Sequence, residues 1–331
     1  MKTPRAFSLL EMMVAMALAG IIAASAIGAG TAINRVMVDS RRRVVVWDEA
    51  KRVEEALLSR VQEAGGDPLA AFQSVIVEDS CVADASRGLP DCFGADRITI
   101  ISARADVPSC DVEASGATLR VDAADPCCIT PDFTGPAILV LPNEVVTRSL
   151  HNPNVPSCHV TAPPGQGNPV PKTLTNGTKG TLALVTMETI FPRRKGATNE
   201  YELLVWRDAG SPGNNKVDVG ELQLFADRIY DFQIALGFDS NPEDNDVVDT
   251  NSSTDEWLGN AEAIPPSLPP SIAASQLRMI DIAVAVGVPA ERFTDQPVKL
   301  LNRATPISPS NIYLAATRGQ VTFRNLNISV P

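Results

Sequence analysis

The sequence predicts an α+β fold, with a long N-terminal helix packed on a β-rich head. Three observations predict it. From Met12 to Ile33 the chain is apolar and uncharged. Beyond that run, apolar residues recur at steps of three or four up to Gly65-Gly66-Asp67-Pro68. The remainder breaks into short runs rich in β-branched and aromatic residues, separated by proline and glycine.

The apolar run is a helix of membrane length. At about 1.5 Å per residue it extends roughly 33 Å, against a hydrocarbon core of about 30 Å. Glu11 borders it. An ionised glutamate beside such a segment costs on the order of 3 kcal/mol near a bilayer centre, so its presence points to a function. An ordinary secretory signal would lose the apolar run on cleavage, and Ala17-Leu18-Ala19 and Ala24-Ser25-Ala26 offer small residues for it. A plain anchor would use Lys2 and Arg5 as cytoplasmic flanks but leaves Glu11 unexplained.

The helix is expected to continue past the membrane edge. Val46, Ala50, Val53, Leu57, Val61 and Ala64 fall on one face, and Glu49, Lys51, Arg52, Glu54, Glu55 and Arg60 fill the others. The Gly-Gly-Asp-Pro sequence stops it. Arg41-Arg42-Arg43 reads as a solvated face or as a contact for lipid headgroups. Gly20, Gly28 and Gly30 interrupt the apolar half, each costing up to about 1 kcal/mol in a helix, and small residues there allow close helix packing.

Lys2, Arg5, Ala6, Phe7 and Glu11 occur in the order of a class III leader: basic, ending in a small residue, then Phe and a fifth-position acid. This N-terminus resembles the type IV pilin superfamily, which usually has Gly where this chain has Ala6. The resemblance implies cleavage between Ala6 and Phe7 and N-methylation of Phe7 by a prepilin peptidase. It implies that Glu11 neutralises the terminal amine of a neighbouring subunit, and that Gly28 is a point where the helix loosens on assembly. It divides the chain into a leader at 1–6, a transmembrane or filament-core helix at 7–33, an amphipathic half at 34–66, and a head at 67–331 large enough for two lobes. The implied partners are other minor and major pilins, the peptidase, the inner-membrane assembly platform and the membrane. The head would be periplasmic before assembly and on the pilus afterwards.

The head is expected to carry strands at 97–102, 137–141, 181–189, 200–206, 221–225, 229–238, 278–288 and 320–330. The order Val205-Trp206-Arg207-Asp208, Gly220-Glu221-Leu222, Ile229 to Asp239, Trp257 and Arg318 to Asn325 looks like that of large PilW-type minor pilins. That similarity implies a minor pilin acting in assembly, adhesion or motility. A minor pseudopilin of a type II secretion system shares the N-terminus and is the alternative. A calcium-dependent adhesin or sensor on a pilin helix is a third reading.

Charge and cysteines narrow the class further. The formal net charge is −11. Such an acidic chain is poorly suited to nucleic-acid phosphate. Cys81, Cys92, Cys110, Cys127, Cys128 and Cys158 all follow the helix, an even set that reads as disulfides in an oxidising compartment with the pairing open. Cys127, Cys128, Cys158 and His159 could ligate zinc, but no C-x-x-C pair supports it.

No motif demands a cofactor, and calcium is the one ion the loops could take. The first loop offers Asp208, Asn214, Asp218 and Glu221, with Glu221 as the bidentate ligand. The second offers Asp239, Asn241, Glu243 and Asp249. Neither has a full ligand set, and each also reads as an Asx-rich turn. The chain has no G-x-S-x-G, phosphate loop or H-E-x-x-H, so an enzyme is not expected.

Overall fold

A computed structural model of the chain describes residues 9–64, 74–85, 87–104, 109–115, 118–121, 135–141, 144–150, 159–161, 177, 179–196, 200–207, 217, 219–238, 257–259, 277–290, 297–303, 306–307 and 311–322. A single helix, α1, spans Leu9–Gln62. The strands are β1 (Val75–Glu78), β2 (Arg97–Ala103), β3 (Cys110–Ser115), β4 (Thr118–Val121), β5 (Gly135–Leu141), β6 (Glu144–Leu150) and β7 (His159–Thr161). They continue with β8 (Lys179–Arg194), β9 (Tyr201–Arg207), β10 (Leu222–Phe238), β11 (Trp257–Leu258), β12 (Leu277–Pro289) and β13 (Ile312–Thr322). This is the α+β arrangement the sequence predicts: a long apolar helix followed by an antiparallel β head.

The sheet is ordered β13-β12-β10-β9-β8 through the part that meets the helix. Strand β8 is long enough to serve two neighbourhoods. Its C-terminal half pairs with β2 and β9, and its N-terminal half pairs with β3 and β5. Helix α1 lies against β12 and β13.

The stripe read from helical periodicity is the stripe that packs. Val46, Ala50, Val53, Leu57, Val61 and Ala64 are all buried. They meet Ile280, Ile282, Val284 and Val286, the alternating positions of β12 that share their core. The other face of β12 is buried too. Ala283 and Ala285 pack with Tyr230 and Leu300, so this central strand has no wet side. Small residues at those two positions leave room for the tyrosine ring.

Three expectations shift. The runs at 221–225 and 229–238 are one bent strand, because slips against β9 at Ala226 and a positive φ of 57° at Arg228 turn the chain without ending it. The last described strand, Ile312–Thr322, begins ahead of the expected 320–330 run, whose remainder lies outside the described residues; its small and polar stretch from Ala315 to Gly319 pairs without a slip in a ladder from Pro289↔Ile312 to Met279↔Thr322. Glu54, assigned to a polar face, is buried. The Gly65-Gly66 stop lies outside the described residues, and the helix ends at Gln62, close to where it was expected.

Candidate functional site

The described part of the N-terminal segment is exposed throughout its apolar half. Leu9, Val14, Leu18, Ile22, Ile27 and Ile33 all face outward. This is the one helix among the described residues long and apolar enough to cross a bilayer. Glu11 stands in its first turn, on the exposed surface. Ala6 and Phe7 lie outside the described residues. The helix runs unbroken through Gly28. Nothing lies within 4 Å of where a Cβ would stand at Gly20, Gly28 or Gly30, so no contact inside the chain requires their smallness. Ser25 and Thr31 return their hydroxyls to the carbonyls of Ile21 (2.8 Å) and Gly28 (2.9 Å), which saves them from lipid.

The second half of α1 is fixed by polar contacts as well as by its stripe. The buried carboxylate of Glu54 accepts from Lys51 Nζ at 2.7 Å. It fills a notch at Gly319, where any Cβ would overlap it and would come within 2.6 Å of Leu58 Cδ1. Glycine is needed there for close approach. Thr317 donates to the carbonyl of Ala50 at 3.3 Å. Arg43 lies 5.2 Å over the Tyr313 ring. Arg60 pairs with Glu188, which also accepts from Arg207 at 2.6 Å, and Arg60 stacks over Phe225 at 5.2 Å. The helix is therefore held at both ends of its seat.

Buried charges complete the head, and none was identified in the sequence. Asp96 donates its N–H to the Phe232 carbonyl (2.9 Å) and accepts from the N–H groups of Ile234 (2.7 Å) and Ser80 (2.9 Å). It occupies the edge of β10 beyond the reach of β9. Burial pushes its carboxyl well above the usual range, against the lowering effect of those amides. Asp231 accepts from Arg303 at 2.5 Å and Gln233 at 3.0 Å; burial raises it to about 6 although Arg303 pulls it down. Asp281 on β12 accepts from Arg318 at 2.6 Å. The signal for Asp281 was present, a lone acid in an apolar strand. Glu54 likewise falls four residues after Ala50, on the edge of the stripe. Asp231, a lone acid in the apolar run Ile229–Leu236, carries the same signal. For Asp96 the local sequence holds none, because it bonds to β10, far along the chain.

Cys81 and Cys92 form a disulfide, with Cα atoms 5.3 Å apart. The loop it closes cages Arg97, which donates to the carbonyls of Pro90 (2.8 Å) and Val82 (3.2 Å) and pairs with Glu78 at 2.9 Å. Cys110 is disulfide-bonded as well. Cys127, Cys128 and Cys158 lie outside the described residues. So do Asp208, Asn214 and Asp218 of the first acidic loop and Asp239, Asn241, Glu243 and Asp249 of the second. Glu221 is described, and its carboxylate accepts from the Trp206 indole N–H at 2.8 Å, closing the turn into β10. Among the described residues no three metal-ligating side chains cluster.

The comparison with known families bears on the helix. Residues 1–27 match the prokaryotic N-terminal methylation motif. The N-terminal segment is that of a type IV pilin-like prepilin with a class III signal. The prepilin segment accounts for the exposed apolar helix, which anchors in the membrane and then enters a filament. Proteins of this motif are structural subunits, pilins or pseudopilins, with pilin partners and peptidase processing in general. No curated protein and no solved structure matches the chain.

Proposed function

We propose that the protein is a minor pilin of a type IV pilus, of the PilW-like kind, that primes assembly or sits at the tip. The observation that carries this reading is the division of one helix into an exposed apolar half with a single acid and a half sealed onto a large head. In this reading the peptidase cuts between Ala6 and Phe7 and methylates Phe7. The head is periplasmic before assembly. Glu11 then meets the amine of a neighbouring subunit in a medium of low dielectric, where opposite charges attract far more strongly than in water. The large, disulfide-bonded head suits a subunit present in few copies, with adhesion or motility as its output.

Glu11→Ala tests this. The variant should insert in the membrane as well as the wild type, because a costly charge is removed. It should be lost from sheared pili and should no longer co-purify with other pilins. Normal incorporation would refute the role. Recovery of the wild-type chain only with secretion-system components, never with sheared pili, would favour the pseudopilin.

A further inference from the structure

Between the apolar half of α1 and its first buried residue, Val46, the helix and the head enclose a groove. Its volume is about 610 Å³. Val38, Val45, Val288 and Pro289 form its apolar lining, and Arg41, Arg42 and Arg228 bring three guanidinium groups to it. Arg228 belongs to the head and is placed by the positive φ that bends β10. Arg43 turns away to Tyr313, whereas among the described residues no salt bridge holds Arg41, Arg42 or Arg228.

Position decides what such a groove meets. At about 1.5 Å per residue, Arg41 lies about 12 Å beyond Ile33, where the apolar run ends. The headgroup layer of one leaflet is roughly 5–8 Å thick. Helical side chains lean towards the helix N-terminus, here towards the membrane, and arginine reaches back while its stem stays on apolar surface. A guanidinium binds phosphate oxygens in a fork.

We infer that this groove binds the phosphate headgroup of an anionic phospholipid on the head side of the membrane, seating the unassembled subunit on the bilayer. The inference rests on the membrane-anchored pilin reading above. The lipid phosphate pairs with Arg41, Arg42 and Arg228, and the acyl-glycerol region lies on the membrane side of them, over Val38. Removal of the lipid accompanies extraction into a filament.

The test uses the full chain in detergent micelles. It is titrated with a short-chain phosphatidylglycerol, a short-chain phosphatidylcholine, or inorganic phosphate, and retained adducts are counted by native mass spectrometry. The wild type should retain phosphatidylglycerol, hold phosphatidylcholine on the order of tenfold more weakly, and resist displacement by phosphate. Arg41→Gln, Arg42→Gln and Arg228→Gln combined should reduce phosphatidylglycerol to the phosphatidylcholine level. Arg193→Gln, at an exposed pair elsewhere, should leave it unchanged. Unchanged melting would show that the triple variant is folded; Arg41→Gln alone, at an exposed position, is the second variant should it melt early. Equal retention of both lipids, or equal retention by wild type and folded variant, overturns the inference. Displacement by inorganic phosphate also overturns it, assigning a free-anion site. Loss of co-purifying pilins with lipid retention intact overturns it in favour of a protein contact. The N-terminal mass of the same sample reports separately on the pilin reading.

Discussion

The two halves of α1 are covalently one helix but answer to different surroundings. From Leu9 to Ile33 every residue is exposed, whereas from Val46 onward every fourth or third residue is sealed against β12 and β13. The first half is apolar all round and the second on one stripe. A helix built for lipid or for other helices needs no stripe; one built for a single sheet does. The contrast implies that substitutions sort by location. Those in the second half should change the stability of the head, and those in the first should change only insertion and assembly.

The largest expected effect is at Leu57, fully buried at the centre of the seat. Leu57→Ala should destabilise the head by about 2–5 kcal/mol, read as a lower melting temperature. Leu18→Ala, in the exposed half, should leave that temperature unchanged. A matching loss from both would erase the distinction.

Removing the Cys81–Cys92 bridge should come next. Its loop, with a sequence separation of 11, gives about 3 kcal/mol on chain-entropy grounds. Cys81→Ser with Cys92→Ser should also loosen the cage around Arg97, seen as faster amide exchange at 78–97. Protection identical to that of the wild type would argue against the cage.

Gly319→Ala should cost about 1–3 kcal/mol through overpacking against Glu54 and Leu58. Combining it with Glu54→Ala should recover part of the loss, because the carboxylate that a Cβ would meet is gone. Additive losses would show that the notch is not the cause.

The smallest effect is pH dependence. The folded carboxyl of Asp231 titrates at about 6, above an unfolded value near 3.9. The folded state therefore holds the proton more tightly, and stability falls as pH rises from about 4 to 6. Its contribution is present at pH 4 and gone above pH 6, with a size of roughly 1–3 kcal/mol. Asp96 acts in the same direction. Asp231→Asn should flatten part of this slope in melting curves taken across that range. An unchanged slope would assign it elsewhere.

Periodicity explains how much of this was legible in the sequence. The stripe from Val46 to Ala64 and the β-branched run of β12 are local patterns, and each lies where the sequence predicts it. The N-terminal signature is local too, and the match at 1–27 coincides with it. Glu54 was misplaced because its partner notch, Gly319, lies on a strand more than two hundred residues away. Asp96 is hidden for the same reason: a carboxylate bonded to the edge of β10 looks, in sequence, like any surface acid. Strand β13 begins at Ile312, ahead of the expected run, because pairing with β12 overrides the low β propensity of Ala315, Ala316 and Gly319.

The central claim is that the apolar half stays on the mature protein as an assembly element. The most direct measurement is N-terminal mass spectrometry of the mature chain isolated from cells. N-methylated Phe7 is expected as the first residue, with α1 intact behind it. A mature chain beginning at Ser25 or later would contradict the account, because the exposed half of the helix would then be a discarded secretion signal.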